Sequence, residues 1–287
     1  MTEARDTLSR FSALTREWFA GTFVEPTPAQ AQAWQAIADG KDTLVIAPTG
    51  SGKTLAAFLW AIDRLAAAPR AGAGTRVLYI SPLKALAVDV ERNLRTPLTG
   101  ITRIAERHGT PAPDISVGVR SGDTPPKRRR ELITKPPDIL ITTPESLFLM
   151  LTSAARETLT SVQTVIVDEV HAVAGTKRGA HLALSLERLD ALLAAPAQRI
   201  GLSATVRPPE EVARFLSGGK TGTKVVAPPA AKTFDLAVQV PVPDMANLEN
   251  NSIWPDVEQR IVDLIENHRS SIVFANSRRL AERLTAR

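Results

Sequence analysis

Residues 47–54 constrain this chain more than any other segment. They read Ala-Pro-Thr-Gly-Ser-Gly-Lys-Thr. The apolar run 43–46 before them predicts a buried parallel strand, and the run 55–62 after them predicts a helix. Strand, glycine-rich loop and helix form the context that a phosphate-binding loop requires. Ala47 stands where the common pattern has its first glycine, but the flanking elements favour nucleotide binding over a chance glycine turn.

The residue types in this loop indicate a specific chemistry. Gly50 and Gly52 permit a backbone that points successive N–H groups at phosphate oxygens, and the following helix adds its positive end. Lys53 supplies a full charge for the β- and γ-phosphates, and Thr54 offers a hydroxyl ligand to Mg²⁺. We therefore predict that ATP and Mg²⁺ bind here, with the nucleotide held by Thr49, Gly50, Ser51, Gly52, Lys53 and Thr54.

Composition narrows the class of protein. The 287 residues are 44% hydrophobic and 23% charged, which suffices for one large domain and part of another. The absence of cysteine excludes disulfides and thiolate zinc sites, and the four histidines show no metal-ligand spacing. No apolar run approaches the roughly 20 residues of a membrane span, so we expect a soluble cytoplasmic protein without a membrane partner. The net charge of +5 weakly favours a polyanionic partner.

Further apolar runs alternate with helical stretches after the loop. They lie at residues 77–80, 115–119, 139–141, 165–167 and 200–202. Short β-branched runs separated by helices predict an α/β fold with a mostly parallel sheet covered by helices on both faces. Four of these runs stop at small or polar residues. Ligand groups bind at such positions, just beyond the carboxyl ends of parallel strands.

Changes in composition and hydrophobic pattern along the sequence divide the chain into three parts. We predict a helical extension over residues 1–24, a nucleotide-binding domain over 25–228 and the start of a second domain over 229–287. In this last part we expect a short strand-like piece at 236–240, a clear strand at 271–274, a helix at about 254–268 and the beginning of another at 277–287. One clear strand cannot close a core, so we expect the chain to be a fragment of a longer protein.

An acidic landmark follows one of the apolar runs. Residues 165–171 read Val-Ile-Val-Asp-Glu-Val-His. Asp168 can hold Mg²⁺ through its water shell, while Glu169 orients and deprotonates an attacking water. A solvated acidic turn is the bland alternative. Beside the phosphate-binding loop, the pair favours ATP hydrolysis with Lys53, Asp168 and Glu169 as catalytic residues.

These motifs together resemble a known family. Asp168-Glu169-Val170-His171 matches the Asp-Glu-x-His box of superfamily-two helicases, and Ser203-Ala204-Thr205 matches their motif that couples hydrolysis to strand movement. From about residue 11 onward the chain resembles the Lhr (large helicase-related) family, on residues 26–30, 33–34, 47–54, 81–86, 121–124, 142–147, 177–181 and 272–278.

The resemblance implies a fold and residue roles. Both domains would be RecA-like, the second truncated. Gln30 would read adenine, and His171, Ser203 and Thr205 would couple the two sites. The backbone of the nucleic-acid strand on which the protein moves would be contacted by Lys84, Gly122, Asp123, Thr142, Thr143, Ser277 and Arg278.

The resemblance also implies an activity. It is 3′-to-5′ movement on single-stranded DNA, with unwinding of DNA or RNA–DNA duplexes, in DNA repair in the bacterial cytosol or nucleoid. The remaining second RecA-like domain, a winged helix and C-terminal domains of the parent chain would be partners. The γ-phosphate arginine would lie among them, so we expect this chain alone to bind ATP weakly and to hydrolyse it little.

Several alternatives stay open at this point. The basic run 127–130 would either grip phosphates or form the solvated face of a short helix, and we favour the latter. Phe11, Phe19 or Phe23 would stack on adenine. A nucleotide-gated binding module without turnover is the second functional hypothesis. A P-loop phosphotransferase is the third, although it gives no reason for Glu169 or Ser203.

Overall fold

The computed structural model describes residues 7–48, 50–68, 72, 74–204, 206–229, 235–242, 244–245, 248 and 252–286, and for residues 84–86 it describes the backbone. The chain forms two compact units, Met1–Ala230 and Ala231–Arg287. Within the described ranges, no helix is long and apolar enough to cross a membrane.

The first unit is built on a seven-stranded sheet with the order β3-β4-β2-β5-β6-β1-β7. Every described pairing between neighbouring strands is parallel. The predicted α/β architecture with a mostly parallel sheet is therefore confirmed. The strands are β1 (Thr43–Ile46), β2 (Val77–Ile80), β3 (Val117–Arg120), β4 (Ile139–Thr142), β5 (Thr164–Val167), β6 (Gln198–Ser203) and β7 (Lys224–Val226).

Helices connect the strands and cover both faces of the sheet. In the first unit they are α1 (Ala13–Thr22), α2 (Pro28–Ala38), α3 (Lys53–Ala67), α4 (Lys84–Arg107), α5 (Pro126–Thr134), α6 (Pro144–Leu151), α7 (Lys177–Asp190) and α8 (Pro209–Leu216). Two short 3₁₀ turns, Ala154–Leu159 and Val170–Ala172, flank β5.

Burial on both faces explains the continuous apolar runs. Side chains of a strand point alternately to its two faces. In β2, Val77 and Tyr79 join the core beneath helices α1 to α4, whereas Leu78 and Ile80 join the core on the opposite face. No position of β2 faces water, so the strand has no polar alternation.

The N-terminal segment packs into the first of these cores. Phe11 and Phe19 contact the indole of Trp34 edge-on, with ring centroids 5.0 and 5.5 Å apart, and all three side chains are buried. The helical pattern predicted over residues 1–24 is interrupted at Ser12, whose hydroxyl accepts the N–H of Thr15 and caps α1. The segment therefore belongs to the same compact unit as the sheet.

The second unit contains two described helices, α9 (Trp254–Glu266) and α10 (Arg278–Thr285). The strands predicted at residues 236–240 and 271–274 are wrong, because neither segment forms a strand. A strand needs hydrogen bonds to a neighbour, and the described part of this unit offers none. The exposed fractions of Leu236 and Phe274 are 87% and 90%.

Candidate active site

A cavity of about 460 Å³ lies at the carboxyl ends of β1 and β5. Its wall includes Lys53, the first residue of α3 after the glycine loop, and Asp168 and Glu169, which follow β5. Only β6 separates the two strands in the sheet, so their ends lie about 10 Å apart. The fold thus brings together the lysine and the two carboxylates that the sequence assigns to one site.

The glycine loop is shaped by two residues with positive φ. Gly50 and Gly52 have φ angles of 81° and 79°, in the left-handed region that favours glycine. Gly52 is also the N-cap of α3. A Cβ on Gly52 would lie 2.4 Å from Nε2 of Gln30, whereas one on Gly50 would meet nothing within 4 Å. Gly52 is therefore required for space as well as for conformation.

Helix α2 holds this loop from one side. The Gln30 side chain donates from Nε2 to the carbonyl of Gly52 (3.3 Å). It also accepts the N–H of Thr27 at 2.9 Å, within the capping box that begins α2. The Thr27 hydroxyl donates to the carbonyl of Ser51 at 3.0 Å. Gln30 is buried and does not line the cavity, so in this structure it contacts the loop.

Lys53 is nearly buried, with 8% of its surface exposed. Its ammonium donates to the carbonyls of Ala47 (2.5 Å) and Pro48 (3.1 Å). Burial lowers the pKa of Lys53, and the charges of Glu169 and Asp168 act in the opposite direction. The carboxylates thus help to keep the ammonium charged inside the site.

Asp168 is buried as well, with 7% of its surface exposed. Its carboxylate accepts hydrogen bonds from the hydroxyl of Tyr79 and, at 2.9 Å, from the backbone N–H of Glu169. Burial raises the pKa of Asp168, while the Tyr79 hydrogen bond and the Lys53 charge counteract it. A buried anion of this kind is stabilised by an added cation.

Glu169 has a strained backbone. Its φ of 43° places a non-glycine residue in the left-handed region, which costs on the order of 1–3 kcal/mol. The turn ends β5 and begins the 3₁₀ turn Val170–Ala172. The consequence is that two consecutive carboxylates line one cavity, whereas a continued strand would direct them to opposite faces.

The residues present fit a magnesium nucleotide. The described residues contain no cluster of three or more histidine, cysteine or acidic side chains suited to a metal. Mg²⁺ usually takes one or two carboxylates together with substrate phosphates and water, and Asp168 and Thr54 line the same cavity. In addition, the Ser51 hydroxyl in the loop is buried without a partner among the described residues. A phosphate oxygen would satisfy such a group.

The predicted coupling residues meet behind the acidic pair. Nδ1 of His171 lies 3.1 Å from the hydroxyl of Ser203 and 3.3 Å from Oε2 of Glu169. It also accepts the backbone N–H of Ala204 at 3.3 Å. The histidine therefore joins the end of β5 to the end of β6. The remaining predicted residues Thr205 and Thr49 lie outside the described residues.

The residues predicted to contact nucleic acid in the first unit lie at the carboxyl ends of β2, β3 and β4. Lys84 is the first residue of α4, and Gly122 and Asp123 form the turn after β3. Thr142 and Thr143 are buried. The Thr142 hydroxyl donates to the carbonyl of Arg120. The Thr143 hydroxyl caps α6, because it accepts the N–H of Ser146 and donates to the Ser146 hydroxyl. The Thr142 hydroxyl therefore joins the end of β4 to that of β3, whereas the Thr143 hydroxyl fixes the start of α6.

The other two predicted contacts belong to the second unit. The Ser277 hydroxyl accepts the N–H of Leu280 at 3.2 Å and caps α10. Arg278 pairs with Glu282, one turn along the helix, at 3.1 Å. Both residues are exposed.

The structure separates the three candidate aromatic residues. Phe11 and Phe19 lie in the core, whereas Phe23 is 40% exposed and lines the cavity. Trp18 lines it too, and its ring contacts that of Phe23 edge-on at 5.9 Å.

Sequence reasoning did not assign several residues of the site, three of which carry polar groups close to the proposed ligands or to Asp168. Asp89 and Asn93 of α4 line the cavity, and Tyr79 contacts Asp168. A tyrosine in the apolar run 77–80 is the one local signal of a buried polar partner. The hydrogen-bond partner of this tyrosine, Asp168, follows a neighbouring strand, so it can be identified only when the order of the strands is known.

Comparison with known proteins confirms the resemblance found in the sequence. The model of the DEAD/DEAH box helicase family matches residues 27–214. The Lhr helicase/probable uracil glycosylase of Mycolicibacterium smegmatis is 81% identical over 287 residues, which is 100% of this chain and 19% of that protein. The Lhr helicase/uracil glycosylase of Escherichia coli is 55% identical over 300 residues, covering 96% of this chain and 19% of that protein.

A solved structure of the same kind is also similar. The structure of Mycobacterium smegmatis helicase Lhr bound to ssDNA and AMP-PNP has a TM-score of 0.84 and 81% identity, covering 98% of this chain and 36% of that one. The chain spans about a fifth of the length of the two curated relatives (19% in both).

Proposed function

We propose that this chain, which belongs to the DEAD/DEAH box helicase family, forms the ATP-hydrolysing part of a motor that moves on single-stranded DNA. One observation carries the proposal. Lys53, Asp168 and Glu169 line a single cavity, although the lysine and the acidic pair lie more than 100 residues apart in the sequence. The relative bound to ssDNA and AMP-PNP supports the two ligand classes.

Four side chains of the cavity and the loop amides have roles in the proposed reaction. The loop amides and the Lys53 ammonium bind the phosphates of ATP. Thr54 and Asp168 would hold Mg²⁺, which when bound neutralises charge on the phosphate oxygens. Glu169 orients a water and accepts its proton as the water oxygen attacks the γ-phosphorus. The bond to the β,γ-bridging oxygen breaks, and ADP and phosphate leave.

The base of ATP would bind at the aromatic end of the cavity. Phe23 is the exposed aromatic residue there, so we propose that it stacks on adenine. Gln30 already contacts the loop and the start of α2. Its amide keeps one N–H and one lone pair for a further hydrogen bond. The proposed contact to adenine is thus compatible with its role in positioning the loop.

Coupling to nucleic acid would pass through His171. Its Nδ1 contacts Glu169 on one side and Ser203 on the other. A change at Glu169 during hydrolysis would therefore alter the position of the β6 end.

The finer features of the motor rest on the family resemblance. They are 3′-to-5′ movement, unwinding of DNA or RNA–DNA duplexes, a role in DNA repair and a location in the bacterial cytosol. The proposed assignment of residues 25–228 and 229–287 to two RecA-like domains, with further domains of a longer parent chain as partners, rests on it as well.

Nucleotide binding and phosphate release test the proposal. Binding of a fluorescent ATP analogue to the chain should weaken in Lys53→Ala. In Glu169→Gln, binding should persist while DNA-stimulated phosphate release is lost. Lys41→Ala is the matched control, because Lys41 is an exposed lysine near β1 that does not line the cavity. Release is expected to be slow in this chain and faster in a longer form.

The results also separate the alternative functions. Full phosphate release by either site variant would contradict the assignment. Transfer of the phosphoryl group to an acceptor would support a phosphotransferase. ATP-dependent changes in DNA affinity without any release would support a nucleotide-gated binding module.

A further inference from the structure

We propose that Arg120 and Arg129 form an anion site, separate from the ATP cavity, that takes a phosphodiester group of a nucleic-acid strand. The inference rests on the proposed function, because it names two side chains that would hold the strand at the edge of the sheet. Neither residue was among the contacts implied by the family resemblance.

Arg120 is an unusual residue for its position. It is the last residue of the edge strand β3, yet only 9% of its surface is exposed. Its Nη1 is buried and has no hydrogen-bond partner among the described residues. Buried guanidinium groups are normally paired, because an unsatisfied charged donor is costly. A ligand that accepts hydrogen bonds from this group would remove that cost.

A second arginine adds positive charge beside Arg120, which favours the binding of an anion. Arg129 of α5 lies close enough that its charge adds to burial in lowering the pKa of Arg120. Nη2 of Arg129 donates to the carbonyl of Gly122 at 2.7 Å, while its Nε is buried without a partner in the described part of the chain. Two guanidinium groups held together repel each other, and an anion placed on both would offset the repulsion.

The position of the pair excludes the phosphates of ATP as its ligand. The strand order places β3 five positions from β1, which carries the phosphate-binding loop. Five spacings of about 4.8 Å make roughly 24 Å, which is longer than the triphosphate can reach. The pair also does not line the ATP cavity.

The neighbourhood of the pair favours the backbone of a strand over a free anion. Arg120 pairs in register with Thr142 of β4, whose hydroxyl donates to the Arg120 carbonyl at 2.8 Å. Arg129 contacts Gly122 of the turn after β3. Thr142 and Gly122 are two of the residues that the family resemblance implies contact the backbone of the nucleic-acid strand. Guanidinium groups bind phosphate oxygens through paired N–H donors, and rotation of either side chain would turn an unpaired N–H toward the ligand.

Helix α5 itself provides a matched control. Arg128 precedes Arg129 directly, but it is exposed and pairs with Glu131 at 3.0 Å. Arg128→Ala and Arg129→Ala thus remove the same charge from neighbouring positions of one helix. If general attraction to the basic run 127–130 drives binding, the two variants will behave alike. If the Arg120–Arg129 pair binds a phosphate, only the second will lose a contact.

The experiment measures binding of fluorescent oligothymidylate to the 287-residue chain by anisotropy at several salt concentrations. A single-strand phosphate contact contributes about 0.7 to the slope of log K against log [salt]. Arg129→Ala should therefore lower the slope by about 0.7, which is roughly a fivefold loss of affinity at 0.1 M salt. Arg128→Ala should match the parent chain. Arg120→Lys keeps the charge but loses the paired donors. Its affinity for the oligonucleotide should therefore lie between the affinities of the parent chain and of Arg129→Ala.

Each outcome is decisive. Equal slopes for the parent chain, Arg128→Ala and Arg129→Ala would overturn the inference, while the proposed function would stand. Failure of the parent chain to bind the oligonucleotide, with ATP-analogue binding intact, would overturn both. Inorganic phosphate that raises the melting temperature of the parent chain but not of Arg129→Ala, with unchanged oligonucleotide binding, would assign the site to a free anion and overturn the inference. If Arg129→Ala does not fold, Arg120→Lys takes its place in the test. An affinity of Arg120→Lys equal to that of the parent chain would then overturn the inference.

Discussion

The hydroxyl of Tyr79 donates a hydrogen bond to the carboxylate of Asp168 across two neighbouring strands. Tyr79 is fully buried and stacks on Phe58 of α3, with ring centroids 4.8 Å apart. Asp168, in turn, is the buried carboxylate proposed to hold magnesium. The tyrosine therefore positions this carboxylate from the core side of the sheet.

This contact makes the ionisation of Tyr79 a reporter of the site. Burial, followed by the charge of Asp168, raises the pKa of Tyr79 well above its ordinary value of 10.0. The unfolded chain would release the proton above about pH 10, and the folded chain would retain it. Stability should therefore be intact below pH 10 and fall above it, by up to about 1.4 kcal/mol per pH unit.

Absorbance of tyrosinate near 295 nm measures this directly, because Tyr79 is the single tyrosine of the chain. We expect the absorbance to rise only together with the loss of the circular dichroism signal. Asp168→Asn should lower the pH of the transition but leave it above the ordinary value, since burial is the larger cause. Ionisation near pH 10 in the folded chain would contradict the burial of Tyr79, and an unchanged transition in Asp168→Asn would contradict the contact.

Alanine at the two loop glycines should have unequal effects. Both glycines have positive φ, which costs an alanine about 1–2 kcal/mol. Gly50→Ala meets no other atom, whereas the Cβ of Gly52→Ala would lie 2.4 Å from Nε2 of Gln30. We therefore expect Gly52→Ala to lose more ATP-analogue affinity and more stability.

A double variant checks the cause. Adding Gln30→Ala should recover part of the stability lost in Gly52→Ala, because it removes the colliding group, and should give no recovery in Gly50→Ala. Urea unfolding measures the free energies, and the coupling between the two sites is their non-additivity. Additive effects in the Gly52 pair would mean that Gln30 does not fill the space beside the loop.

Two helical glycines should respond to alanine with opposite signs. Gly21 of α1 is exposed and has open space around it, so Gly21→Ala should stabilise the chain by about 0.5–1 kcal/mol. The Cβ of Gly100→Ala would lie 2.2 Å from the indole of Trp18, and overpacking of this kind costs about 1–3 kcal/mol.

Because Trp18 lines the nucleotide cavity, Gly100→Ala should also change ATP-analogue affinity, whereas Gly21→Ala should not. Thermal unfolding and analogue titration measure the two effects. A stabilising Gly100→Ala would show that α1 and α4 can separate without cost.

The ion pair between Glu145 and Arg178 should depend on pH. Two hydrogen bonds, 2.5 and 3.0 Å long, join the side chains. The Arg178 hydrogen bond is the first cause that lowers the pKa of Glu145 below 4.5. The stabilisation is therefore present above pH 4.5 and lost as the pH falls through the lowered pKa. The Arg178 and Glu145 side chains are 37% and 54% exposed, so the stabilisation amounts to about 0.5–1 kcal/mol.

A double-mutant cycle with Glu145→Gln and Arg178→Gln isolates this pair. The coupling free energy should be measurable by urea unfolding at pH 7 and should decrease as the medium becomes acidic. Coupling that stays constant with pH would mean that the contact does not depend on the Glu145 charge.

Local patterns were sufficient for the elements that depend on near neighbours in the chain. The glycine loop before α3 and the buried runs of β1 and β2 were both readable from sequence. Each is set by steric and hydrogen-bonding preferences within a few residues. The same patterns failed at residues 236–240 and 271–274, because an apolar run becomes a strand only when another strand binds its edge.

By itself, the sequence determined which chemical groups this chain carries and that its strands are parallel and buried, since spacing and apolar content are properties of short segments. Only the tertiary structure decided which distant groups meet: Tyr79 with Asp168, Gln30 with Gly52, and His171 with Ser203. The physical reason is that such contacts follow from strand order and helix packing, which minimise exposed apolar surface over the whole unit. A residue's eventual partner is therefore not encoded in its own neighbourhood.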